Sequence, residues 1–317
     1  MPLPSDHCTR ANNRDNTAEQ NAGGEPTGAC LPASLAAYLA CTLEVLAPKA
    51  GNVHLGRSFS DASVLDYLAS AAAIAPLLDE AVSRGVGRTV LEAIQRTRMV
   101  TRSNTNLGIV LLLAPLAAVP SEHRLAQGIA AVLDRLSVED SRAVYVAIRL
   151  AQPAGLGHVA QEDIRQEPTL PLRAIMQLAA ERDAIARQYA CAFRDIFELG
   201  IPRLLQALQQ GRPLAQAIVL CHLHWLAELG DSLIARKCGP AVSREAGRRA
   251  REVVELGWPD TSAGQHAFAE LDAWLRADGN RRNPGTSADL VVATLFAALR
   301  DGFLPLPFRV SWAPAAE

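Results

Sequence analysis

From Leu31 onward the apolar positions follow a helical pattern almost without interruption, with alanine and leucine dominant and β-branched alternation nearly absent. That periodicity predicts helices over 33–47, 62–83, 87–100, 106–119, 122–135, 138–151, 169–199, 201–210, 213–229, 240–256, 261–277 and 286–301. The breaks carry turn chemistry: Pro48/Gly51, Pro120, Pro153/Gly155/Gly157, Gly211/Pro213, Gly239/Pro240, Pro259 and Asn283-Pro284-Gly285. Leu107 to Val119 is apolar all round, interrupted only by Pro115, so it predicts a helix at the centre of the core. The expected fold class is all-α, one compact multi-helix domain over 31–302 with that helix buried inside it. Residues 1–30 read as a disordered N-terminal tail, and 303–317, rich in proline and aromatics, as an extension packed loosely or run over the surface.

Composition narrows the function classes. Lys+Arg 31 against Asp+Glu 33, a net charge of −2, argues against a general nucleic-acid binder. Aromatic residues at 5% disfavour a stacking platform for single strands. The longest apolar run falls short of the roughly 18 residues a membrane span needs, and no apolar signal core begins the chain. The expectation is a cytoplasmic protein with neither nucleic-acid nor membrane partner. Six cysteines form no Cys-x-x-Cys pair, so neither a disulfide framework nor a zinc ribbon is indicated. Gly85-Val86-Gly87 and Gly155-Leu156-Gly157 lack the third glycine of a dinucleotide loop. Lys49 and Lys237 are the only lysines, which suggests sites that need a compact ammonium.

Four segments stand out from the helical background. Glu44 to His54, followed by Phe59-Ser60-Asp61, ends a helix and presents Lys49, His54 and Asp61 on a loop; a basic helix C-cap is the structural alternative. Asn104-Thr105-Asn106-Leu107-Gly108 opens the apolar helix, either as an N-cap cluster or as a site for phosphate or nucleobase. Asp231 to Gly239 combines a carboxylate with Arg236 and Lys237. Asn283 to Leu290 leads through Pro284-Gly285 into a helix, where Thr286 and Asp289 have capping-box spacing or Asp289 faces a pocket. Cys221-His222-Leu223-His224 is weakly metal-like, since no second ligand pair follows. Glu181-Arg182-Asp183 with Arg187 reads as a charged helix stripe with intrahelical pairs, a pocket role being the alternative because apolar flanks suggest a buried helix.

In this order across an all-helical chain, these segments resemble the triphosphoribosyl-dephospho-CoA synthase family over roughly 33–302. The resemblance rests on Glu44-Val45, Pro48-Lys49-Ala50-Gly51, Asn104 to Gly108, and Pro284-Gly285-Thr286-Ser287-Ala288-Asp289-Leu290. Ala50, Asn52-Val53-His54 and Asn106 depart from the citrate-lyase members, and Asp231 to Gly239 resembles a diverged subgroup, one associated with pterin-linked one-carbon metabolism. The resemblance implies a transferase that uses ATP as triphosphoribosyl donor to 3′-dephospho-CoA and releases adenine. Alternatives are a nucleotide-like acceptor in pterin or one-carbon cofactor synthesis, or a helical nucleotide-binding protein without catalysis. Such chemistry needs Mg²⁺, cations for the triphosphate, and a carboxylate base. The implied catalytic residues are Asp61 and Asp289. Lys49, His54, Asn104, Thr105, Asn106, Arg236, Lys237, Gly285 and Thr286 would bind nucleotide, and Asp61, Asp231 and Asp289 the metal. Small-molecule substrates are the expected partners, and a homodimer is compatible with the chain.

Overall fold

The computed structural model describes residues 30–159 and 161–313, so the expected tail, apart from Cys30, and the last four residues of the expected extension lie outside the described residues. Fifteen α-helices occur among them and no strand; the lone β-bridge joins His54 to Arg57. In chain order the helices are α1 (Ala33–Leu46), α2 (Val64–Leu78), α3 (Ala81–Arg84), α4 (Val86–Val100), α5 (Leu107–Ala117), α6 (Leu125–Asp134), α7 (Val138–Ala151) and α8 (Leu172–Ala179). They continue as α9 (Ala184–Ala190), α10 (Ile201–Gln209), α11 (Leu214–Leu229), α12 (Ser232–Cys238), α13 (Pro240–Glu255), α14 (Ser262–Arg276) and α15 (Gly285–Arg300), with a π turn at Ile196–Gly200.

Two helices form the centre. α5 is buried along nearly its whole length, and α15 is buried continuously from Leu290 to Arg300. Helix α15 packs against α1, α5, α11 and the π turn. Pro115 has no N–H, so the carbonyl of Leu111 loses its partner one turn back. Tyr189 Oη donates to that carbonyl at 2.6 Å, and so ties α9 to the central helix. None of the helices is by itself long and apolar enough to cross a membrane.

The structure departs from the periodicity at three places, one of them the short α12, which lies between the helices expected over 213–229 and 240–256. The helix expected over 62–83 ends at Leu78, two residues after Pro76, and restarts as the short α3. The helix expected over 169–199 is broken twice. Asp183 turns the chain and caps α9, accepting from the N–H groups of Ile185 (2.9 Å) and Ala186 (3.2 Å). Ala192 and Phe193 then adopt positive φ of 52° and 59°, a costly conformation held by full burial of Phe193. Arg187 consequently bonds Asp195 at 2.7 Å instead of joining a continuous stripe with Asp183. The described end of the chain crosses the start of α11, where Ser311 and Trp312 carbonyls accept from Leu214 (2.8 Å) and Ala215 (3.0 Å). These bonds satisfy N–H groups that a helix start leaves unpaired.

Candidate active site

A cavity of about 920 Å³ opens between the helices, and all four polar segments reach its wall. Glu44, Asn52 and Asp61 come from the first segment, Asn104 to Gly108 from the second, Arg236 and Lys237 from the third, and Asn283, Gly285, Thr286 and Asp289 from the fourth. Lys49, His54 and Asp231 do not line it.

Asp289 is the least satisfied carboxylate of the site. Helix α15 begins at Gly285, so Thr286 is already its second residue and the Thr286/Asp289 capping box does not form. The third N–H of the helix, that of Ser287, is taken instead by Asp231 at 2.8 Å. Among the described residues nothing donates a hydrogen bond to Asp289. It keeps partial solvent contact through the cavity, yet burial, Glu44 and Asp231 hold its carboxyl well above the usual carboxylate range.

Asp231 was expected to hold metal, but the backbone consumes its oxygens. Oδ1 accepts from Leu233 (2.9 Å) and Ile234 (3.0 Å), capping α12; Oδ2 accepts from Ser287 N (2.8 Å) and Oγ (2.9 Å). The residue therefore locks the starts of α12 and α15 together.

Lys49 is wholly buried. Its ammonium donates to the carbonyls of Glu44 and Ala47 and pairs with Glu44 Oε1 at 2.9 Å. These carbonyls close the end of α1, where they also accept from Ala47 N (3.3 Å) and Lys49 N (2.8 Å), so the helix-cap alternative describes its bonding. Burial pushes Glu44 up and Lys49 down, and their mutual attraction offsets both shifts. Asn52 is part of the wall, its Nδ2 3.2 Å from His222 Nε2 and donating to Pro284 O at 3.4 Å. Burial lowers the His222 pKa to about 3, which keeps the ring neutral. Cys221 Sγ faces the carbonyl of Gly200, and Cys221, His222 and Leu223 are part of the core, with His224 only half-buried.

The entrance of the second segment is a mixture of cap and wall. Asn104 Oδ1 accepts from Leu107 N at 3.2 Å, Thr105 Oγ1 lies 2.6 Å from Ser70 Oγ, and Asn106 Nδ2 donates to Thr97 at 2.8 Å. Asn106 Oδ1 is buried without a partner. His54 sits on the loop outside, its Nδ1 accepting from Gly56 N at 3.2 Å. Asp61 is exposed at the mouth. Lys237, half-buried, donates to Asn283 Oδ1 at 2.9 Å; desolvation lowers its pKa, while Asp231 and Asp61 raise it.

Three other members of the wall were not among the expected site residues. Asp183 Oδ2 pairs with Arg236 at 2.5 Å, a contact that the break before α9 makes possible. Glu44 was visible only as part of a motif. Tyr67, on α2, left no sequence signal; Glu44, Asp289 and Asp61 all lie close enough to raise its pKa further after burial has done so. No group of three or more His, Cys, Asp or Glu side chains among the described residues is arranged to hold a metal ion. Asp61, Asp231 and Asp289 are thus not assembled as a ligand set.

Comparison with known proteins agrees with this architecture. A Klebsiella pneumoniae protein named 2-(5''-triphosphoribosyl)-3'-dephosphocoenzyme-A synthase is 33% identical over 112 residues, 35% of this chain and 39% of that protein. The chain thus spans about two-fifths of the length of the curated relative it matches. The crystal structure of a candidate triphosphoribosyl-dephospho-CoA synthase from Archaeoglobus fulgidus superposes with a TM-score of 0.59 at 28% identity, covering 74% of this chain and 99% of that one. The sequence model described as ATP:dephospho-CoA triphosphoribosyl transferase matches residues 31–305, and the chain belongs to that family.

Proposed function

We propose that the protein transfers the triphosphoribosyl group of ATP to the 2′-hydroxyl of dephospho-CoA and releases adenine. The observation that carries this reading is Asp289, a partnerless carboxylate of raised pKa in the wall of the cavity that all four segments share. A general base works best with a pKa near the working pH, and this environment moves a carboxylate toward it. Asp289 takes the proton of the attacking hydroxyl as the oxygen reaches ribose C1′ of ATP. The C1′–N9 bond breaks, and adenine leaves with its bonding electron pair and is protonated. The phenol of Tyr67, kept neutral by its raised pKa, faces the same carboxylates and serves as hydrogen-bond donor at the reacting end.

The mouth holds the triphosphate. Arg236 and Lys237 supply positive charge there, and Asp61 stands beside them as an exposed carboxylate. Magnesium commonly takes one or two carboxylates and completes its shell with water and phosphate oxygens. Asp61 fits that pattern. Bound there, the metal would neutralise the triphosphate. Asn104 and Asn106 line the wall beside α5 and are placed to meet base or ribose.

A second reading keeps the donor and changes the acceptor. It is favoured by the departures at Asn52 and Asn106, both of which line the cavity. The test is to supply ATP and Mg²⁺ with dephospho-CoA or with no acceptor and to follow free adenine. Release that requires dephospho-CoA supports the first reading. Release only after another nucleotide-like acceptor is added selects the second.

A further inference from the structure

The cavity continues past the charged groups into a region that the chemistry above leaves unused. There α7 contributes Ile148, α8 contributes Ile175 and Met176, and the connection between them contributes Leu156 and Ile164. Ile148, Ile164 and Ile175 are only half-buried, and Leu156 is 48% exposed. Apolar surface is therefore presented to a concave space, the signature of a ligand site more than of a core.

The covering segment, 152–159 with 161–164, is held down at both ends. Tyr145 Oη donates to the carbonyl of Glu162 at 2.6 Å, fastening it to α7. At its start, Gly155 (φ +78°) lies so near α12 that a Cβ there would come within 3.0 Å of Arg236 Cβ and 3.2 Å of its carbonyl. The apolar lobe thus adjoins the cationic end of the cavity at Arg236. Ile175 and Ala179, one helical turn apart on α8, line the same wall, and Arg182 follows on the turn after the helix, so the lining passes from apolar to basic as it approaches Asp183 and Arg236.

We propose that this lobe is the subsite for the arm of the acceptor: a linear alkyl thiol with amide links, carried on a nucleotide diphosphate. The inference rests on the transferase reading and deepens it. An acceptor laid with its hydroxyl at Asp289 sends its diphosphate past Arg236 and Arg182 and its arm between α7 and α8. The exposed side chain of Gln152 supplies an amide on the same wall.

The experiment compares dephospho-CoA with the methyl ester of ADP, which keeps the nucleotide and the diphosphate diester and lacks the arm. Ile148→Ala/Ile175→Ala and, separately, Ile175→Glu are measured beside wild type, with melting temperatures to certify folding. Adenine release gives KM for each acceptor, and titration calorimetry gives Kd. The subsite predicts that either variant raises KM and Kd for dephospho-CoA about tenfold or more and leaves those for the methyl ester unchanged. Equal effects on both acceptors, or none on either, overturn it. If wild type releases no adenine with either acceptor but binds dephospho-CoA more tightly, and the variants erase that preference, the subsite stands and the transferase reading falls. If wild type binds the two alike, the subsite itself is wrong.

Discussion

Gly108 and Asp289 lie so close that a Cβ added to the glycine would stand 2.0 Å from Asp289 Oδ2. The first turn of α5 therefore needs a residue without a side chain at this point, because the carboxylate occupies the space. Gly108→Ala should push Asp289 aside and lower the rate of adenine release by about a hundredfold, the scale on which misplacing a reacting group by an ångström acts. Melting temperature should change little, since alanine favours the helix and Asp289 is not part of the tight core. A variant with full activity would show that the position of Asp289 does not matter.

Asp289→Asn should separate stability from activity. The carboxyl has a folded pKa raised above its unfolded value of about 3.9, so the folded state holds the proton more tightly. Its stabilising contribution is complete below that unfolded value and is lost as pH rises through the raised folded value. Asparagine cannot ionise and loses nothing. The variant should therefore melt at least about 2 °C above wild type at pH 8 and lose that advantage near pH 4. Its rate of adenine release should drop by at least about a hundredfold. Thermal scans across pH, together with the rate assay, check both halves.

Lys49 should report on folding. Its ammonium closes the end of α1 and neutralises Glu44, and it lines no part of the cavity. Lys49→Ala leaves a buried carboxylate unpaired, which costs about 3–5 kcal/mol. Lys49→Met combined with Glu44→Gln should recover much of that stability. Urea denaturation of the three proteins measures it, and a stable Lys49→Ala would refute the buried-pair account.

Asp231 acts through the helices it joins. Asp231→Ala removes the cap of α12 and the acceptor for Ser287, and should cost about 2 kcal/mol or more. Because α15 carries Asp289, kcat should decline as well. Ser287→Ala, which removes only the hydroxyl bond, should show a smaller loss of both. Equal kcat in wild type and Asp231→Ala would confine the residue to stability.

Much of the helical frame was legible because its signal is local. The apolar run at Leu107, the turn at Asn283-Pro284-Gly285 and the break at Gly239-Pro240 each stand close to where a helix starts or stops. The segments around the cavity were legible for a related reason: polar clusters at the ends of apolar helices need shared partners. Their individual roles were not, because two lysines at the ends of helices can face opposite ways. Lys49 turns inward onto its own helix while Lys237 faces the cavity, and nothing in either segment distinguishes them. Asp289 faces the cavity, and the capping role that its spacing from Thr286 allowed falls to Asp231, 56 residues from Ser287 in sequence. The breaks around Asp183 and Phe193 escaped because they are imposed by packing of Tyr189 and Phe193 against the core, and no Pro or Gly marks them. The lobe between α7 and α8 gave no motif, because half-buried isoleucines on a helix look the same whether they face core or ligand.

The most direct test of the central claim is the product balance of one reaction containing ATP, Mg²⁺ and dephospho-CoA, read by mass spectrometry. The account predicts one adenine for each new molecule joining the triphosphoribosyl group to dephospho-CoA, with no ADP and no inorganic phosphate. Formation of ADP or phosphate in place of adenine, or adenine release without the joined product, would contradict it.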